Sequence, residues 1–580
     1  MSMVKPKFGH RDAEVESLII EPAHSLSLFS DAGVKRMRTS AMATMIVFWY
    51  LVYRKSVQLV RHLVARGLVT TAHELYLAIV KRGFLLLRRT VPSVRNKVQG
   101  ELDKVTLELE AKLAPKGLTK VSYTALPARG LSHSETTAVL DQLADLPNTK
   151  WETGRVSGAV YHGGEEMAQL WKEAFGKFEV SNPLHADVFP GVRKMDSELV
   201  SMCLSLYNCP LPTSAIDENG GAGTTTSGGT ESILMACKAY RDRARAEFGI
   251  TEPEMIVPVS VHAAFDKAAN YFGIKIHHIP VDPVTRKVQI AKVKRAISAN
   301  TILLVGSAPN FPDGAIDDIS ALSDLAIRHR LGLHVDCCLG SFLVPFLERA
   351  GFETVPFDFR VPGVTSISCD VHKYAMAPKG ASVIMYRSKA IRKYQFEVIT
   401  SWPGGVYATP SMAGSRPGAI IAGAYASLLH LGIDGYTSLC TDIVGAAKTL
   451  VRGLRADFPE LYVLGDPLVS VVAFGSRTEG QGNGVGMVPI YEVGDKMDKM
   501  GWHLNALQNP PALHIACTRL TVPVIDDLLR DLRKAVDEVK QTYESGKGGM
   551  VTMYGLGSSS AIGPGLVGEM AVRYMDVLYS

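Results

Sequence analysis

The sequence predicts an α/β fold: a central, mostly parallel sheet followed in the chain by a smaller α/β unit. Three observations predict it. From about residue 200 to 440, short apolar runs alternate with segments of helical period, the pattern of strands joined by crossover helices. Residues 441–548 carry a shorter version of the same alternation, with the strand-like VSVVAF and a helical run over Val524–Tyr543. The composition is ordinary globular usage, 47% hydrophobic and 21% charged. With 580 residues, the chain is long enough for about three to four domain-sized units, or for one large fold with additions.

The elements read in order as follows. Residues 1–98 form an N-terminal segment that is both apolar and basic. Ala41–Tyr53 (AMATMIVFWYLVY) is apolar and runs into Arg54 and Lys55. It falls short of the roughly 18–20 residues a spanning helix needs. Counting on to Val60 reaches that length only by including Arg54, Lys55 and Gln58. The expectation is a tilted span or embedded helix whose cations snorkel; the alternative is an amphipathic helix packed on protein. Residues 99–199 form a helical and linker region, with a charged helix over 99–115 ended by Pro115 and Gly117. Ser132 and Glu135 have capping-box spacing before the helix SETTAVLDQLADL. In 200–440 the strand-like runs are MIVPVSVHAAF, ILLVGSAPN, LGLHVDCCLG, VTSISCDVHK and ASVIMYR. The helical runs are Glu231–Phe248, Ala264–Phe272, Ile319–Arg328 and Phe342–Arg349. Residues 219–226 read as a Gly/Thr-rich insert, 479–486 as a Gly-rich spot, and 549–580 as a C-terminal tail.

Charge and cysteine usage narrow the function. The net charge of +5 is concentrated near the N-terminus, where 34–100 hold Arg54, Lys55, Lys81, Arg82, Arg88 and Arg89 among others against one acid, Glu74. A basic and apolar segment suits a membrane surface, and no nucleic-acid-binding signature accompanies it. The eight cysteines include no CxxC pair and no metal-ligand spacing, so the sequence predicts a reducing compartment and no zinc site.

Four features fall where α/β sheets bind ligands. Gly228, Gly229 and Thr230 (TSGGTES) open a strong helix, so free N–H groups there can cradle a phosphate. His262 (SVHAAF), between a strand and a helix, can stack on a planar ring. Asp336 (LHVDCC) closes a buried strand, where a carboxylate needs a cationic or N–H partner. Lys373 (DVHKY), after His372 on a short loop between strands, can form a Schiff base. Taken singly, each also fits a plain role: a turn, a backbone-satisfied histidine, an aspartate paired with an arginine, a solvated lysine. Taken in order, they resemble an enzyme of pyridoxal 5′-phosphate (PLP) with the type I, aspartate-aminotransferase-like fold.

Longer stretches are more specific. GRVSGAVYHGGEE (154–166), SNPLHADVFPGVRKM (181–195), TSGGTESILMACKAYRD (226–242), HVDCCLG (334–340), FDFRVPGVTSISCDVHKYAMAPKG (357–380) and YATPSMAGSRPG (407–418) resemble sphingosine-1-phosphate lyases. That family stands beside the group II PLP decarboxylases. The resemblance runs from about residue 120 to the C-terminal MYGLGSSS and beyond.

The resemblance implies a retro-aldol cleavage of the C2–C3 bond of a phosphorylated sphingoid base, giving a long-chain aldehyde and phosphoethanolamine. It implies that Lys373 holds PLP, that Asp336 keeps the pyridine nitrogen protonated, and that His372 meets the cofactor phosphate. It places Lys379, Tyr161 and His185 at the reacting hydroxyl or the substrate phosphate. It assigns Tyr161, His185 and the Gly414–Ser415 element to the neighbouring subunit of a homodimer with shared active sites. Arg416 stands nearby, as an anion ligand or in a salt bridge. The family also implies an endoplasmic reticulum membrane, with the catalytic part facing the cytosol. Ala375, Met376 and His162 depart from the family pattern and bear on substrate shape. An amino-acid decarboxylase is the alternative enzyme, and an inactive membrane-tethered scaffold is the alternative of another class.

Overall fold

The computed structural model describes residues 31–113, 123–146, 149–477, 488–541 and 563–579. The Gly-rich 479–486 and the MYGLGSSS stretch at 553–560 lie outside the described residues. The chain forms two compact units, Met1–Leu63 and Val64–Ser580.

A helix spans Asp31–Arg66 and is followed by Gly67 with φ 85°. Its apolar residues Met45, Ile46, Phe48, Trp49 and Tyr50 are each more than half exposed. With Val47, also more than half exposed, they occupy consecutive positions, so the helix is apolar around its circumference here rather than along one stripe. Among the described residues, the helix whose length and composition would suffice to cross a membrane is Gly418–Asp457, and much of it is buried in the core.

The second unit is built on a seven-stranded sheet. Its strands are β1 (Ala222–Thr226), β2 (Glu254–Pro258), β3 (Lys275–Ile279), β4 (Thr301–Ser307), β5 (Gly332–Asp336), β6 (Ser366–Cys369) and β7 (Ser382–Tyr386). The spatial order is β1-β7-β6-β5-β4-β2-β3, and only β7 runs against its neighbours. Strands β4, β5, β6 and β7 are buried at every position, as expected of a sheet covered on both faces. The predicted mostly parallel α/β fold is therefore the observed one.

Two sequence expectations are corrected. Residues 222–226 are not part of an insert but β1, paired in register with β7 from Ala222–Tyr386 to Thr226–Ser382. Threonine suits a pleated surface, but three threonines beside a glycine run hide the strand from a hydropathy reading. Phe342–Arg349 is not a continuous helix: a 3-10 turn over Val344–Phe346 replaces it, with Pro345 inside the turn. Conversely, Ala264–Phe272 is helical as predicted. Ser132 and Glu135 make the full capping box, Glu135 N–H to Ser132 Oγ at 3.3 Å and Ser132 N–H to Glu135 Oε2 at 2.7 Å.

A two-stranded ribbon pairs β8 (Glu397–Ile399) with β9 (Tyr407–Thr409). The helix Gly418–Asp457, kinked at Gly432, then leads to a four-stranded antiparallel sheet. That sheet has β10 (Leu461–Val463), β11 (Val471–Ser476), β12 (Asn505–Leu507) and β13 (Ala512–Ala516) in the order β10-β11-β13-β12. All eight cysteines are buried free thiols.

Candidate active site

The C-terminal ends of the parallel strands converge on one edge of the large sheet, and the site residues follow directly from them. β1 leads into Gly228, which caps the helix Gly229–Phe248. β5 ends on Asp336. β6 ends at Cys369, and its next turn carries Asp370, His372 and Lys373. β7 starts at the same edge, so Lys379 precedes it there.

A cavity of about 220 Å³ opens at this edge, and Lys373, Asp336, His262 and Tyr161 line it together. Asp336 is buried; its Oδ1 accepts from Cys338 N–H at 3.1 Å and from the Ser368 hydroxyl at 3.2 Å. His262 Nδ1 accepts from Ala264 N–H at 3.1 Å, which fixes the ring at the start of its helix. Tyr161 is buried, with its ring edge-on to Tyr374 at 4.8 Å between centroids. Burial pushes its hydroxyl up to about 12, with Lys373 opposing and Asp370 adding to the rise.

Lys373 Nζ lies 2.9 Å from Asp370 Oδ2. Burial works against the Lys373 ammonium, but Asp370 outweighs it and raises the ammonium well above the usual lysine range. Burial likewise works against the Asp370 carboxylate, and Lys373 and His372 outweigh it and lower the carboxyl. Asp370 Oδ1 is buried without a hydrogen-bond partner. Lys379 differs sharply. Desolvation and the nearby Lys373 charge lower it to about 8, with Asp370 opposing. Its Nζ sits 4.4 Å above the Tyr161 ring.

The phosphate cradle is close by. A side-chain carbon at Gly229 would come within 2.7 Å of Cys338 Sγ and 2.8 Å of both Asp370 carboxylate oxygens, so only glycine fits there. One at Gly228 would meet His372 Cε1 at 3.5 Å, which places His372 beside the helix start. His372 Nδ1 accepts from Ala381 N–H at 3.1 Å, leaving Nε2 3.7 Å from Asp370. Thr230, Ser415 and Arg416 line a second cavity, of about 570 Å³.

Residues 149–477 match the family model described as the pyridoxal-dependent decarboxylase conserved domain. The chain is 46% identical to the sphingosine-1-phosphate lyase of Saccharomyces cerevisiae over 492 residues, covering 84% of this chain and 81% of that protein. The chain belongs to the sphingosine-1-phosphate lyase family. A relative of that name from Drosophila melanogaster is 42% identical over 86% of this chain and 88% of its own length. The solved sphingosine-1-phosphate lyase of Burkholderia pseudomallei superposes with a TM-score of 0.69 at 40% identity, covering 74% of this chain and 96% of that one. A glutamate decarboxylase from Lactobacillus brevis, 20% identical with a TM-score of 0.61, shares the fold.

The family's cofactor is PLP, and the residues fit it. The cavity holds a lysine for the aldehyde, a strand-end carboxylate for a ring N–H and an imidazole beside them, and the cradle admits no side chain at Gly229.

Of the residues the sequence singled out, Lys373, Asp336, His262, Tyr161, Lys379 and His372 come together, with Gly228, Gly229 and Thr230 next to them. Tyr161 lines the Lys373 cavity of its own chain. Its segment is seated in part by backbone pairing: Val156 bridges His503 in parallel and Ser157 N–H donates to His503 O at 3.0 Å. His185 is not brought to the cavity; it is exposed in a turn where its N–H donates to Asn182 O. Gly414 packs by Tyr407, where an added carbon would meet the hydroxyl at 2.9 Å. Arg416 is a structural cation, bonded to Asp196 Oδ2 at 3.0 Å and Thr225 Oγ1 at 2.7 Å. Sequence reasoning missed Asp370, whose signal was an acid three residues before the lysine. It also missed Ser157 and Asn505, which line the cavity from distant parts of the chain and carry no local signal.

Proposed function

We propose that this protein cleaves the C2–C3 bond of a phosphorylated sphingoid base, sphingosine 1-phosphate in the family's name, to a long-chain aldehyde and phosphoethanolamine. The observation that carries this reading is the lysine pair. One lysine is held charged by Asp370 inside the cavity, and a second is lowered to about 8 above Tyr161, in a chain of this family.

PLP, when bound, supplies an electron sink for the pair released at C2. The chain's own residues do the rest. Lys373 holds the cofactor, and Asp336 offers its carboxylate to the ring N–H. Lys379, lowered to about 8 and so partly present as the free amine at physiological pH, takes the proton from the C3 oxygen, the task of a base whose pKa lies near the working pH. Tyr161 stays protonated and presents its hydroxyl to the same space. The Gly228–Thr230 helix start and His372 receive the cofactor phosphate.

The finer reading adds a homodimer and a membrane. His185 and Ser415 are both exposed, and their segments are tied together by Arg416 N–H to Asn182 Oδ1 and Gly418 N–H to Ser181 O. This supports one surface on which a second copy would receive both; a monomer in sedimentation equilibrium would remove that part. The exposed apolar helix with Arg54 and Lys55 behind it supports attachment to a membrane, the endoplasmic reticulum in the family's pattern, with the catalytic unit in the cytosol.

Product analysis tests the function. Detergent-solubilised protein with PLP is incubated with a phosphorylated sphingoid base, and separately with amino acids. Long-chain aldehyde together with phosphoethanolamine is the expected result. Carbon dioxide from an amino acid and no aldehyde would overturn it in favour of a decarboxylase, and neither product would leave a scaffold.

A further inference from the structure

One wall of the Lys373 cavity is polar, and no step above uses it. Ser157 and Asn505 line it, and Ser157 is buried to 7% exposure. Their hydrogen bonds form a chain whose direction can be worked out. His514 Nδ1 is 2.9 Å from the Pro312 carbonyl oxygen. A carbonyl only accepts, so Nδ1 carries the hydrogen, and in the neutral ring Nε2 is an acceptor. Burial lowers His514 to about 4, with Pro312 and Asp313 opposing, so the ring is neutral at physiological pH. Nε2 therefore takes a hydrogen from Asn505 Nδ2 at 3.0 Å. The same Nδ2 donates its other hydrogen to Ser157 Oγ at 2.8 Å. Ala516 N–H donates to that Oγ as well, at 2.9 Å.

The consequence is a fixed polarity. Ser157 Oγ accepts two N–H groups, which occupies both lone pairs. Its own hydrogen has no acceptor among the described residues. Asn505 has spent both amide hydrogens, and its Oδ1 has no donor among the described residues. A hydroxyl forced to donate and an amide oxygen able only to accept thus stand side by side on the cavity wall.

We propose that Ser157 and Asn505 bind a hydroxyl oxygen of the molecule held in the Lys373 cavity, Ser157 donating to it and Asn505 Oδ1 accepting its hydrogen until a base removes it. His514 is a positioning residue that sets the orientation of Asn505. Two hydroxyl groups have this chemistry: the one on the PLP ring, and the one at C3 of the substrate. The inference rests on the proposed function for the second source only.

The test uses the full chain, comparing the parent with Ser157→Ala and Ser157→Thr. Each is stripped of cofactor and titrated with PLP while the visible absorbance is followed; kcat and KM for the phosphorylated sphingoid base are then measured on the loaded protein. Losing one such hydrogen bond is worth about tenfold. If the oxygen belongs to the cofactor, Ser157→Ala weakens PLP binding about tenfold or shifts its absorbance without substrate present. If it belongs to the substrate, the cofactor titration is unchanged and kcat/KM falls about tenfold. In either case Ser157→Thr, which keeps the hydroxyl, recovers most of the loss. The proposal is overturned if Ser157→Ala stays within about twofold of the parent in both arms. It is also overturned if Ser157→Thr loses as much as Ser157→Ala, because the role is then packing. Should Ser157→Ala fail to fold, Ser157→Cys, with a similar shape and a weak S–H donor, replaces it under the same criteria. The parent assayed alongside tests the lyase reading by itself; if it is inactive, the cofactor titration alone decides the role of Ser157.

Discussion

Replacing Asp370 with asparagine isolates what the buried carboxylate does to Lys373. The two groups are 2.9 Å apart, and Asp370 is only 3% exposed. At an effective dielectric of about 20, Coulomb attraction at that distance is worth about 6 kcal/mol. Asparagine keeps the shape and removes the charge. A tenfold change in the neutral fraction of an amine takes about 1.4 kcal/mol. If only a third of the attraction survives relaxation and water entry, the neutral amine still becomes more than ten times more abundant at a given pH. The assay is competitive acetylation of cofactor-free protein across a pH series, with Lys373 followed by mass spectrometry and Lys379 as an internal reference. In the parent, Lys379 should label faster than Lys373 near pH 8, because one ammonium is lowered and the other raised. In Asp370→Asn, Lys373 labelling should rise at least tenfold while the reference changes little. Equal Lys373 labelling in parent and variant, both folded by circular dichroism, would refute the claim that Asp370 holds the lysine charged.

Four further outcomes are expected. Lys373→Ala should abolish the absorbance band of lysine-linked PLP in the purified protein; a persisting band would mean another lysine carries it. Tyr161→Phe should retain PLP with a normal spectrum and slow turnover by about a hundredfold, the low end of proton-transfer effects; unchanged turnover would take Tyr161 off the catalytic list. If Lys379 is the base, it acts as the free amine, so kcat/KM should rise with pH through about 8 and then level. Lys379→Met should flatten that limb, and an identical limb in the variant would assign it to another group. Deleting residues 1–98 should release the protein from membranes on fractionation, and retention in high salt would place the anchor elsewhere.

Much of the fold was legible because its strands are dense apolar runs closed by functional residues. LGLHVD and VTSISC announce buried strands, and Asp336 and Lys373 follow from where those strands stop. β1 was hidden for the opposite reason. It is an edge strand of Ala, Gly and Thr, and its partner β7 lies more than a hundred residues away. His372 and Lys373 stood out as types, yet the acid that governs the lysine did not, because an aspartate in a loop is unremarkable until its burial is known. Asn505 and His514 face each other across β12 and β13, and Ser157 joins them only once its distant segment docks on that small sheet, which no spacing in the chain reports. For Tyr161 the residue was legible, but the backbone bridge between Val156 and His503 that helps seat its segment was not, because it joins distant parts of the chain.

That bridge has a second effect, on solubility. In the four-stranded sheet β12 stands at the border, the position at which chains can join edge to edge, and the Tyr491 hydroxyl already donates to Leu507 O there at 2.6 Å. Val156 lies against His503 just before β12, and His503 N–H donates to Arg155 O at 2.8 Å. Arg155 also binds Met500 O at 2.9 Å and covers the Trp502 ring at 5.0 Å. The segment that carries Tyr161 inward thus also shields the start of this border, with a cation at its outer end. Catalytic placement and protection from self-association are served by the same few residues, so a change that loosens the segment puts both at risk together.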